Sequence, residues 1–186
     1  MHVIPTSSAA PFTAADIAAI LRERGWLAPA PELGAAEPVE DPALDEWLAR
    51  TAELLGPHAA DRAELASLLA LIFSYDARAL LDDAANQAVL AREGARDVIR
   101  ELANRVLDGG PVDSDRFKGI IEGMKTAVDC RSRAMFHPIR LALAGRAGEG
   151  ELDRVILLLD AAAALDFAVL VKGARRRMLE FCAALD

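Results

Sequence analysis

The segment from Cys130 to Arg146, CRSRAMFHPIRLALAGR, carries Arg131, Arg133, Arg140, Arg146 and His137 with no acidic residue, in a chain whose formal net charge is -8. A guanidinium is planar and presents paired donors. It can hold a phosphate by two bonds or stack on an unstacked base, which is how single-stranded loops of RNA are read. Concentrated in an acidic chain, such groups point to an anionic partner. Arg140 is the best single candidate contact, and the competing reading pairs it with a carboxylate of a neighbouring helix, such as Glu122 or Asp129. Arg131 and Arg133 flank a helix end. They suit phosphate contacts that add salt-dependent affinity without sequence choice, or they are solvated surface arginines.

No other constellation suggests chemistry. Arg175, Arg176 and Arg177 spread over about 200° of a helix surface, so at most two can face one partner, and they read as a solvated, acid-balancing face. His2, His58 and His137 are too dispersed for a metal site, and Cys130 and Cys182 lack a CxxC spacing. The cysteines fit small core positions in a reducing cytosol. Ser132 near His137 has no G-x-S-x-G elbow around it. Asp82 and Asp83 are adjacent on a helix and read as solvated surface. Gly145, Gly148 and Gly150 follow a helix, not a strand, so they do not form a dinucleotide loop. Neither catalysis nor a cofactor or metal is expected.

The elements that must position the arginines are helices. Of the 186 residues 53% are hydrophobic and only 5% aromatic, Ala and Leu dominate, and no strand pattern or repeat occurs. The charge is uneven: residues 1–115 hold 9 Lys and Arg against 20 Asp and Glu, while 116–186 hold 12 against 9, so a polyanion should meet the second half. Residues 1–12 read as loose, and Thr13 caps a helix through Ile17, Ile20 and Leu21 that ends at Gly25. Four prolines then make 28–41 a linker, and the first helix is either an arm folded onto the body or a docking piece. Further helices are predicted from Asp41-Pro42 to Gly56, over 60–74, from Asp76 through Ala88 up to Gly94, over 95–107, and from Ser114 or Asp113 through Val128. In the arginine stretch Pro138 suits a first helical position and Gly145 a helix end. Gly148 to Gly150 make a turn, Leu152 to Leu159 form an apolar stripe, and helical material with a break at Gly173 closes the chain. The apolar run Val155 to Val171 is interrupted by Asp160 and Asp166 and reads as a soluble helix pair, not a membrane span. No signal peptide is expected.

Phe136-His137-Pro138-Ile139-Arg140-Leu141-Ala142-Leu143-Ala144-Gly145-Arg146 resembles the F-x-P-L-R-x-A-L-T-G-R signature in the anticodon-binding region of bacterial glutamyl-tRNA synthetases. Ile139 stands for the usual Leu and Ala144 for the usual Thr. The helix order from about Leu65 onward is also similar to that family, and residues 1–56 lie outside the resemblance. HIGH-type and KMSKS-type motifs are absent, so amino-acid activation is not expected. The resemblance implies an all-α bundle of about seven to nine short helices. It also implies a free-standing anticodon-binding domain over 57–186, preceded over 1–56 by a helix, a Pro-rich linker and a second helix. It places Arg140, and with it Arg146 and Leu152, on the surface that meets the anticodon. Gly150 replaces the family's Pro in that loop, which bears on base selectivity. The expected function is non-catalytic binding of tRNA or another structured RNA in the cytoplasm, away from membranes. The alternative is a protein-interaction or regulatory module, or a homodimer, that kept the fold and lost RNA.

Overall fold

The computed structural model describes residues 12–29 and 41–185, and among these every regular element is helical. The ten α-helices are α1 Ala14–Glu23, α2 Pro42–Leu55, α3 Arg62–Phe73, α4 Ala77–Asp82, α5 Ala84–Leu90, α6 Ala95–Leu107, α7 Ser114–Ala127, α8 Arg133–Ala144, α9 Glu151–Ala163 and α10 Ala174–Leu185. One 3-10 turn, Gly56–His58, follows α2. The expected loose start and most of the 28–41 linker fall outside the described residues.

Local chemistry sets most helix starts. Thr13 and Asp16 form a reciprocal capping box at α1, and Asp41, Asp61, Asp76, Asp83 and Asp113 each accept backbone N–H groups at the next helix. Gly145 closes α8 at φ +83, a left-handed position that favours glycine, with the Tyr75 ring where a Cβ would point.

Helix α9 packs against α2, α3, α8 and α10. Its Leu152, Val155, Ile156, Leu158 and Leu159 are fully buried, and each such side chain contributes about 1.5–3 kcal/mol on leaving water. The first helix is an arm folded onto the body: Ile17, Ile20 and Leu21 are buried, and α1 lies on α2. Just beyond it Trp26 stacks on Phe73 with ring centroids 4.8 Å apart, and Trp47 and Phe167 meet Phe73 edge-on. Trp47 donates its indole N–H to the Leu158 carbonyl (3.2 Å), tying α2 to α9.

Four local expectations need correction. The helix predicted from Asp76 through Ala88 breaks at Asp83, whose carboxylate binds the amides of Ala85 and Asn86, while Asn86 and Gln87 side chains take the carbonyls of Leu80 and Leu81. The run Val155 to Val171 is one helix and then an irregular segment, because Phe167 turns into the aromatic cluster and Ala168 donates to the Trp26 carbonyl. Pro138 lies inside α8, which starts earlier, at Arg133, so the proline costs the helix one backbone bond in its second turn. Arg177 is buried, against the solvated face expected of it.

Candidate nucleic-acid interface

Arg140 points inward from α8. Its Nε and Nη2 donate to Asp153 Oδ1 (2.7 Å) and Oδ2 (2.9 Å), a two-pronged bond, and Nη1 donates to the Gly148 carbonyl at 2.7 Å. The guanidinium also lies 4.8 Å from the Phe136 ring centroid. Only 8% of its side chain is exposed. The carboxylate it takes is Asp153, neither Glu122 nor Asp129. Pairing and stacking together satisfy a planar cation that has left water.

The loop between α8 and α9, residues 145–150, is therefore held from beneath by Arg140. On that loop Arg146 is exposed and enters no hydrogen bond or ion pair among the described residues. Arg133 reaches the loop from the start of α8 through a 2.9 Å ion pair with Glu149, in which its side chain stays 74% exposed. Such an exposed pair contributes little to stability. Arg131 is turned back, donating to the carbonyls of Lys125 and Val128 at the end of α7. Leu152 is fully buried and shapes the loop's foundation without reaching the surface. Ser132, just before α8, holds φ +52, a strained position for a residue with a side chain.

Beside the loop lies an open groove of about 380 Å³, lined by His58, Ser114, Phe117, Lys118, Gly150, Asp153, Arg154 and Leu157. Lys118 from α7 and Arg154 from α9 are exposed at it, while Phe117 and Leu157 form an apolar floor. Neither cation was singled out in the sequence. The available signal was the register: Lys118 and Arg154 each sit beside an apolar stripe whose buried members fix where they emerge. Two carboxylates near this surface, Glu149 and Asp153, are paired by Arg133 and Arg140. The loop and groove thus present Arg133, Arg146, Lys118 and Arg154 with part of the acidity around them neutralised.

His137 faces the other way, its Nδ1 3.4 Å from Arg92 Nη1 and its Nε2 buried without a hydrogen bond. Burial, then the Arg92 charge, hold its pKa below the ordinary histidine value. Cys130 and Cys182 are both half-buried. No group of three His, Cys, Asp or Glu among the described residues is arranged to hold a metal ion, and no described helix is long and apolar enough to cross a membrane.

Comparison with known proteins places this geometry. A family model described as "Anticodon binding domain" matches residues 10–165, beginning well before the stretch whose motifs carry the resemblance. The chain is also 28% identical over 113 residues to "Glutamate--tRNA ligase 2" of Syntrophus aciditrophicus (strain SB), which covers 61% of this chain and 23% of that protein. It thus spans less than a quarter of that relative's length. No solved structure matches the chain. The all-helical bundle, the Pro-x-Arg helix with its Gly-Arg end, and a match over most of the residues agree: the chain belongs to the anticodon-binding domain family of glutamyl-tRNA synthetases.

Proposed function

We propose that this chain binds tRNA, or another structured RNA with an accessible single-stranded loop, without catalysing a reaction on it. The observation that carries the reading is the gathering of Arg133, Arg146, Lys118 and Arg154 around the α8–α9 loop and its groove, in a family described by anticodon binding. The cations supply backbone contacts, and the apolar floor at Phe117 and Leu157 accepts the face of a splayed base. Arg131 serves by closing α7, and Leu152 by packing beneath the loop.

The test is binding of bulk tRNA to the purified chain at low and moderate salt, for the native sequence and for Arg146→Glu with Arg154→Glu. Surface positions are chosen because charge reversal at buried Arg140 would disturb the fold as well as the contact. Native binding should weaken as salt rises, and the double variant should bind less tightly with a salt slope lower by about two. Absence of binding even at low salt removes the reading. The protein-interaction alternative then gains, supported by the acidic first half and by exposed Leu170 and Leu179, and self-association by light scattering is its direct measurement.

A further inference from the structure

We infer that Arg140 is a positioning residue: it holds the α8–α9 loop and the adjoining groove wall in the shape that meets RNA, and does not touch the RNA itself. The inference rests on the RNA-binding reading above. Its basis is the placement of the two groups that Arg140 binds. Gly148, whose carbonyl accepts from Nη1, stands two residues after Arg146 in the loop. Asp153, which takes Nε and Nη2, stands next to Arg154 in the first turn of α9 and lines the groove together with Gly150. One guanidinium therefore fixes both cation-bearing segments to α8, which is itself buried from Pro138 to Ala144.

Direct contact would require undoing this arrangement. Arg140 would have to leave three hydrogen bonds and the Phe136 ring, and it would strand the Asp153 carboxylate in a groove meant for a polyanion. Kept in place, the pair cancels that charge where it would repel phosphate. The geometry also needs a planar fork. A lysine ammonium cannot reach a carboxylate by two parallel bonds and a backbone carbonyl by a third.

The two roles predict opposite signs for one substitution. Affinity for bulk tRNA is measured for the 186-residue chain and for Arg140→Met, Arg140→Lys, Asp153→Ala and the double variant Arg140→Met with Asp153→Ala, at a temperature where circular dichroism shows all of them folded. In parallel, amide hydrogen exchange of residues 146–149 is followed without RNA. Positioning predicts that each single variant binds roughly fivefold or more weakly, that the double variant is no worse than the singles, and that the loop amides exchange faster. A role confined to global stability leaves the affinity of the folded protein unchanged, which overturns the inference.

If Arg140 contacts RNA, Asp153→Ala frees the guanidinium and removes a negative charge, so binding holds or tightens; that result also overturns it. Weakened binding with unchanged loop exchange does the same. Should the native chain bind no tRNA, the functional reading fails separately, and loop exchange alone decides: acceleration in both Arg140→Met and Asp153→Ala sustains the positioning role, and its absence refutes it.

Discussion

The Arg177 guanidinium lies 4.5 Å from the Tyr75 ring centroid, at a point where two helices end together. Its Nη2 donates to the carbonyls of Leu71 and Ile72 at the C-terminus of α3, and its Nη1 to that of Leu143 at the C-terminus of α8. Tyr75 donates its hydroxyl to the Ala142 carbonyl at 2.6 Å. The last carbonyls of a helix have no partner within it and carry the negative end of the macrodipole, so a buried cation between two such ends needs no carboxylate in direct contact. Burial pushes the Arg177 pKa down to about 10, which still leaves it charged at neutral pH.

Replacing Arg177 should therefore be costly. Arg177→Met strands the four carbonyls that the guanidinium holds, those of Leu71, Ile72, Leu143 and Lys172, and the expected loss is about 3–5 kcal/mol, a large part of the stability of a domain this size. Arg177→Lys keeps the charge but cannot reach all four, and should lose nearly as much. Its neighbour Arg176 makes an exposed pair with Glu180, so Arg176→Met should cost less than about 1 kcal/mol. Urea midpoints followed by circular dichroism separate the two adjacent arginines.

Asp160 joins two distant backbone positions. Its Oδ2 accepts from Val112 N at 2.5 Å, and its Oδ1 from Ala174 N at 2.6 Å, the first amide of α10. Asp160→Ala removes a helix cap and leaves two amides without an acceptor, with an expected loss of about 2 kcal/mol. Asp160→Asn keeps one acceptor oxygen and should lose about half as much. Both are read from chemical denaturation, and an unchanged midpoint for Asp160→Ala would count against the cap.

His137 gives the chain a defined acid response. Its pKa in the folded state is lowered, first by burial and then by Arg92, with Arg133 and Arg140 adding to this and Glu149 opposing it. The unfolded chain then binds the proton more readily than the folded one. The stabilising contribution is present above the ordinary histidine value and is lost as pH falls through the lower, folded value. Urea midpoints at about pH 7.5 and about pH 5.5 should differ less in His137→Gln than in the native chain.

The helices were legible because their signals are local. Thr13 with Asp16, the capping aspartates, and the apolar spacing of Phe117, Ile120, Ile121 and Met124 involve residues within a turn or two of each other. The split at Asp83 was missed because a capping aspartate and a helical surface aspartate are the same residue type, and the difference lies in which backbone groups are left open. Arg177 could have been found, since it falls in register with Ala174, Met178 and Phe181 on the buried face of α10. What hid it was the expectation that a run of arginines is solvated.

The order of helices, the family motif from Phe136 to Arg146 and the excess of cations in the second half were determined by the sequence alone, because each depends on residues close in the chain. Which acceptors each inward arginine finds was decided only by the tertiary structure. Asp153 becomes the partner of Arg140 because the turn at 145–150 folds the start of α9 back against α8, and Arg177 is buried because α3 and α8 end side by side. A guanidinium is drawn in wherever packing leaves acceptors exposed to one another. The stretch that looked like a line of RNA contacts therefore divides into Arg140, which holds the surface from inside, and Arg133 and Arg146, which stand on it.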